Sequence, residues 1–175
     1  MTTALVVIDV QVDVLDGCVR VESALDAIRT LLSGARAAGA PVVWVQHQER
    51  GLEPGSDGWR IHPALDPLPG EPVVAKSYRD AFADTGLAAA LGDADHLVLC
   101  GAQTDYCVRT TAQRAAADGY GITWVTDAHT TCDVRTTAGT VRAEDVIAQH
   151  DHYFAGLRYP GQEVRAVPAS EVAFA

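Results

Sequence analysis

Three residues with complementary chemistry stand just past apolar runs in this sequence: Asp9, Lys76 and Cys107. Cys107 lies within LVLCGAQTDYCVRTTAQRAAADG, residues 97–119. Leu97-Val98-Leu99-Cys100 is a short apolar run bounded by Gly101 and reads as a buried strand. Val108, Ala112, Ala115 and Ala116 then keep the spacing of one helix face, and Gly119 is placed to stop it. Thr104 or Asp105 can cap the helix start. Cys107 is thus expected in the first helical turn after a strand, where the partial positive charge of the helix N-terminus favours a thiolate. A cysteine on such an elbow is a candidate nucleophile, although free cysteine also serves as a small buried apolar residue.

Asp9 ends the run Ala4-Leu5-Val6-Val7-Ile8, and Lys76 ends Val73-Val74-Ala75. Taken singly, a loop carboxylate can cap an amide and a lysine can reach water on its long stem. Taken together, the three describe acyl chemistry. A free thiol has a pKa of about 8.5. Lys76 would favour the thiolate, and Asp9 would take the thiol proton and later give it to a leaving amine. Backbone N–H groups at the elbow would stabilise the oxyanion, and water activated by Asp9 would cleave the thioester.

For this to work, the chain must bring three strand ends to one place. Glu22 to Ala38 repeats apolar residues at Leu25, Ile28, Leu32 and Ala35 and is followed by Gly39, so it reads as an amphipathic helix. Pro41–Val45 is the second strand, ending at Gln46-His47. Gln48 to Gly70 has no period and is expected to be a long surface loop carrying Trp59 and His62. Strands are further expected at 73–75, 97–100, 121–125 and 163–167. Helices are expected at about 85–91, after Cys107, and from Thr137 to about Phe154 with Val141, Val146 and Ile147 toward the core. Strands alternating with helices imply an α/β fold, a mostly parallel sheet with helices on both faces. In any parallel arrangement Asp9, Lys76 and Cys107 reach the same sheet edge, where such sheets bind ligands.

Composition narrows the partners. The 175 residues suit a single domain, and 48% hydrophobic with 21% charged residues is a globular balance. A formal net charge of −10 argues against nucleic acid and anionic membrane surfaces. No apolar run approaches a membrane span, and Met1-Thr2-Thr3 lacks the basic start of a signal peptide. Cys18, Cys100, Cys107 and Cys132 show no CxxC spacing, so reduced thiols in the cytoplasm are expected, with Cys100 buried in the sheet. The first strand is not followed by GxGxxG, so no dinucleotide cofactor is expected.

Val7-Ile8-Asp9-Val10-Gln11-Val12-Asp13, then Lys76 with Ala81-Phe82-Ala83-Asp84-Thr85, then Gly101-Ala102-Gln103-Thr104-Asp105-Tyr106-Cys107-Val108 resemble the three signatures of the isochorismatase-like cysteine hydrolases. The resemblance covers nearly the whole chain. It implies a three-layer sandwich around a six-stranded parallel sheet in the order 3-2-1-4-5-6. It also implies a triad of Asp9, Lys76 and Cys107, a cis peptide at Ala102-Gln103, and an oxyanion hole of the Gln103 and Cys107 amides. A homo-oligomer, dimer or tetramer, is implied as well.

Members that cleave the isochorismate ether lack the cysteine, so Cys107 points to a small amide-type substrate and a C–N bond. Nicotinamidases carry an Asp-x-His motif and further histidines that bind a metal. Gln46-His47 with the distant His62 does not match that set, so no metal is expected. Gln11, His47, Trp59, Tyr78 and Tyr106 are candidate substrate contacts, with a structural role open for His47 and His62 and Trp59 able either to pack the loop or to line a pocket. Two other readings remain: an isochorismatase-type hydrolase using Asp9 without a covalent step, and a non-catalytic ligand-binding or scaffold protein.

Overall fold

Six short strands, all paired in parallel, form the sheet that carries the three residues. The computed structural model describes residues 2–174. The opening apolar run forms β1 (Thr3–Ile8), every residue of it buried. It lies between β2 (Val42–His47) and β4 (His96–Ala102), with Val7 opposite both Trp44 and Cys100. β3 (Val73–Lys76) is the edge beyond β2, and β5 (Gly121–Thr130) and then β8 (Val164–Val167) extend the other side. The order is β3-β2-β1-β4-β5-β8. This is the arrangement implied by the resemblance, with the last strand numbered eighth because a hairpin intervenes.

Both faces of β1 are covered, which is why its apolar run does not alternate with polar residues. Leu5 and Val7 pack with Leu25, Ile28, Leu31, Leu32 and Ala35 of α2 (Val21–Ala38). Ala4, Val6 and Ile8 face Leu87 and Leu91 of α3 (Leu87–Leu91) and Ala112, Ala115 and Ala116 of α4 (Arg109–Ala117). Gly39 closes α2 in the left-handed conformation, its N–H on the Ala35 and Arg36 carbonyls. Cys100 is fully buried in the sheet.

The region after β5 departs from expectation. The helix expected from Thr137 begins only at Ala143, as α5 (Ala143–Gly156). Before it, β6 (Val134–Thr136) and β7 (Gly139–Val141) form an antiparallel hairpin. β-Branched Val134, Thr136, Thr140 and Val141 favour strand, and Gly139, with φ of +128°, makes the turn. Val141 is exposed rather than in the core. The Asp133 carboxylate accepts from the Ala143 N–H at 2.8 Å and helps fix where α5 starts. A short α1 (Val12–Leu15) after β1 was also not expected.

Candidate active site

β1, β3 and β4 end at one edge of the sheet, and there the three residues meet. Asp9 is the first residue beyond β1, with φ of +49°, a left-handed conformation that aspartate tolerates better than most and that is enriched at functional sites. Beside it, Gly101 at the end of β4 has φ of +122°, and a Cβ there would run into the Ile8 carbonyl. Only glycine lets the two strand ends approach so closely. The following Ala102–Gln103 peptide is cis, as the resemblance implies. The chain then enters a π-helical turn, Thr104–Val108, that presents Cys107.

Neither Thr104 nor Asp105 caps this turn. The Thr104 hydroxyl meets His129 Nδ1 at 2.9 Å, and an Asp105 carboxylate oxygen accepts from the Thr131 hydroxyl at 2.7 Å. His129 Nε2 donates in turn to Asp151 Oδ1 at 2.9 Å, which also accepts from the Trp124 indole N–H at 2.8 Å. Because the carboxylate can only accept, His129 Nε2 carries a proton. This relay, buried at Thr104 and His129 and half-buried at Asp151, ties the cysteine-bearing turn to β5 and α5. It was missed in the sequence, where its one signal is a histidine near the carboxyl end of the strand beside the elbow. His129→Ala should cost about 1–3 kcal/mol by orphaning the Thr104 hydroxyl, and should lower kcat more than it raises KM. Urea denaturation and steady-state kinetics read the two effects. An unchanged kcat would restrict the relay to a structural role.

At the centre lies the Lys76 ammonium, whose side chain is fully buried. Nζ is 2.6 Å from Asp9 Oδ2, 3.0 Å from His47 Nδ1 and 3.2 Å from Cys107 Sγ. Its three protons thus have three acceptors. Among the described residues, Asp9, His47 and Cys107 are also the one group of potential metal ligands, their ligand atoms all within 4.8 Å of one another.

Burial raises the Asp9 carboxyl above its ordinary range despite the opposing Lys76 ammonium. Asp9 Oδ1 is buried and has no hydrogen-bond partner, which leaves one acceptor free on the carboxylate. Burial first, and the Asp9 charge second, push the Cys107 thiol up to about 12 against the pull of Lys76. Cys107 is therefore a thiol at rest. Deprotonation by Asp9 would move one negative charge from one acceptor of Lys76 to another, so the ammonium stabilises both states.

Above the three residues opens a cavity of about 700 Å³. His47, Tyr78, Gln103 and Tyr106 line it with Asp9 and Cys107, and Asp13, Glu49, Arg50 and Arg79 add charge to its walls. Arg79 lies over the Tyr106 ring at 4.1 Å. Gln11 and Trp59 are not part of this wall. Gln11 is fully buried, its amide donating to the His47 and Trp59 carbonyls and accepting from the His47 N–H. Its role is to join the long loop to β2. The loop also pairs with the chain beyond β1 through Val12 N–H to Arg60 O and His62 N–H to Val10 O. His62 stays with the loop, its Nδ1 accepting from the Ala64 N–H.

Comparison with known proteins identifies the family. Residues 3–149 match the model of the isochorismatase domain. The chain belongs to the isochorismatase family. It is 39% identical over 181 residues to a streptothricin hydrolase of Streptomyces noursei, covering 98% of this chain and 71% of that protein. A second streptothricin hydrolase of that organism is 40% identical over 139 residues, 75% of this chain and half of that protein's length. The crystal structure of an isochorismatase from Pseudomonas putida superposes with a TM-score of 0.87 at 29% identity, over 97% of this chain and 89% of that one. The protein is thus an isochorismatase-family hydrolase. Among its described residues no helix is long and apolar enough to cross a membrane.

Proposed function

We propose that this hydrolase cleaves a C–N bond of a small amide-type substrate through a thioester on Cys107. The observation that carries the reading is the buried Lys76 ammonium held between Asp9 Oδ2 and Cys107 Sγ, both of which belong to residues that line the cavity. Asp9 accepts the thiol proton, and the thiolate attacks the substrate carbonyl carbon. The N–H groups of Gln103 and Cys107 receive the developing oxyanion. The C–N bond breaks as Asp9 returns its proton to the leaving nitrogen. Asp9 then takes a proton from water, the resulting hydroxide attacks the thioester, and the acid leaves as the thiol is restored. No cofactor enters these steps. The ammonium stands where a cation shared by Asp9, His47 and Cys107 would have to bind, which supports a site without metal. Tyr78, Tyr106 and His47 contact the substrate in this reading. The same reading takes the protein as cytoplasmic, on the spacing of its cysteines, and, on the family resemblance, as a homo-oligomer of two or four copies.

Two relatives are named for streptothricin, so that compound leads the panel of small amides to be tested. With a turned-over substrate, rapid-quench mass spectrometry should find Cys107 carrying the acyl fragment, a slow substrate or an aldehyde analogue being used where the thioester is too short-lived. Turnover with no adduct on Cys107 from any of these would favour direct attack by water activated at Asp9.

A further inference from the structure

Behind the cysteine-bearing turn, Cys18 and Cys132 face each other across the chain. Cys18 follows α1, and Cys132 follows β5, yet the two residues form an antiparallel bridge. Around it, the Val19 N–H donates to the Thr131 carbonyl at 3.0 Å, and the Thr130 hydroxyl donates to the Val19 carbonyl. Residues opposed in this way have Cα atoms about 4.5–5.5 Å apart, inside the span a disulfide needs. The two sulfurs are in contact at 2.6 Å, and both residues are only half-buried. The Gln103 amide rests on both, 3.5 Å from the Cys18 sulfur and 3.4 Å from that of Cys132, and also donates to the Val14 carbonyl at 3.2 Å. Val14, Gln103 and Val134 are all cavity-wall residues. The pair therefore joins two sides of the cavity behind the residue that leads into the cysteine-bearing turn.

We infer that Cys18 and Cys132 are a built site for a reversible disulfide that staples the α1–α2 connection to the end of β5. The oxidant is a low-molecular-weight disulfide. One protein thiolate attacks it, forming a mixed disulfide and expelling one small thiol. The second protein thiol loses its proton and attacks the mixed disulfide, expelling the other small thiol. Two protein thiols are oxidised, and one small disulfide is reduced to two thiols. Burial and then the neighbouring sulfur push the Cys18 thiol upward, so the exchange should run faster in mildly alkaline buffer. Cys107 stays outside the exchange, buried and bonded to Lys76. The inference stands whether or not Cys107 is a nucleophile.

The test treats the full, untagged chain with oxidised glutathione, quenches it in acid, and counts thiols by alkylation after denaturation. Of the four thiols, two should disappear, with a mass lower by about 2 Da and a linked peptide pair containing Cys18 and Cys132, all reversed by reductant. Cys18→Ser and Cys132→Ser should each abolish the link and leave the remaining partner free or carrying one glutathione. The oxidised wild type should melt on the order of 5–10 °C higher than the reduced form, because the staple closes a long loop without moving the fold. Four alkylatable thiols after oxidation, a link through Cys100 or Cys107, or stable glutathione on both Cys18 and Cys132 would overturn the inference. A bridged form that melts lower than the reduced one would also overturn it, since the native geometry would then not be ready for the bond.

Discussion

Replacing Cys107 by alanine is expected to lower kcat/KM on a true substrate by at least about 10³-fold. Among the described residues, nothing else lining the cavity supplies a nucleophile paired with a base and a cation. Asp9 Oδ2 is bound to Lys76, and its Oδ1 is buried with no hydrogen-bond partner. Asp9→Asn keeps the shape but removes the base, and should cost a comparable factor. Because the thiol is held up to about 12 by burial and the Asp9 charge, it cannot supply its own thiolate near neutral pH. The two residues therefore act as one unit, and their losses should not add. The double variant should be slower than Cys107→Ala by only a small factor. Kinetics on the four proteins decide this. Near-wild-type turnover by Cys107→Ala would leave Asp9 activating water directly. Fully multiplicative losses would mean that the two residues serve separate steps.

Much of this arrangement was legible in the sequence because few physical rules govern it. Buried parallel strands must be apolar on both faces, so β1 and β4 stand out as runs. Parallel pairing then brings their carboxyl ends to one edge, which unites Asp9, Lys76 and Cys107 without any knowledge of distances. Local patterning could not show what long-range contacts decide. The 134–141 hairpin lies in a stretch whose few apolar residues fit a helix or a strand. Gln11 looked like a pocket residue by its place after Asp9, yet its side chain turns into the backbone of the long loop. The His129–Asp151 relay joins residues from separate elements. How far the thiol is held protonated also depends on long-range contacts. The helix end and Lys76 were visible, but the depth of burial that outweighs them comes only from the assembled core.

Lys76→Met is expected to cost about 3–5 kcal/mol of stability near neutral pH, because it removes the ammonium and leaves the Asp9 carboxylate buried without compensation. The cost should depend on pH, and its sign follows from the carboxyl. Burial already holds Asp9 above its ordinary value of 3.8 while Lys76 pulls it down. Without the ammonium, the folded-state value rises further. A carboxyl raised in the fold binds its proton more tightly folded than unfolded. Its contribution is fully present below the unfolded value and is lost as the pH rises through the folded one. The deficit of Lys76→Met relative to wild type should therefore shrink as the pH is lowered from about 7 to about 5. The double variant Asp9→Asn/Lys76→Met has no charge to bury and should regain much of the loss near neutral pH. Urea midpoints and slopes for the three proteins at both pH values provide the comparison. A deficit that does not change with pH, together with a double variant no more stable than Lys76→Met alone, would mean that lost packing around the lysine stem carries the cost. The ammonium would then not be what keeps the Asp9 carboxylate charged in the folded protein.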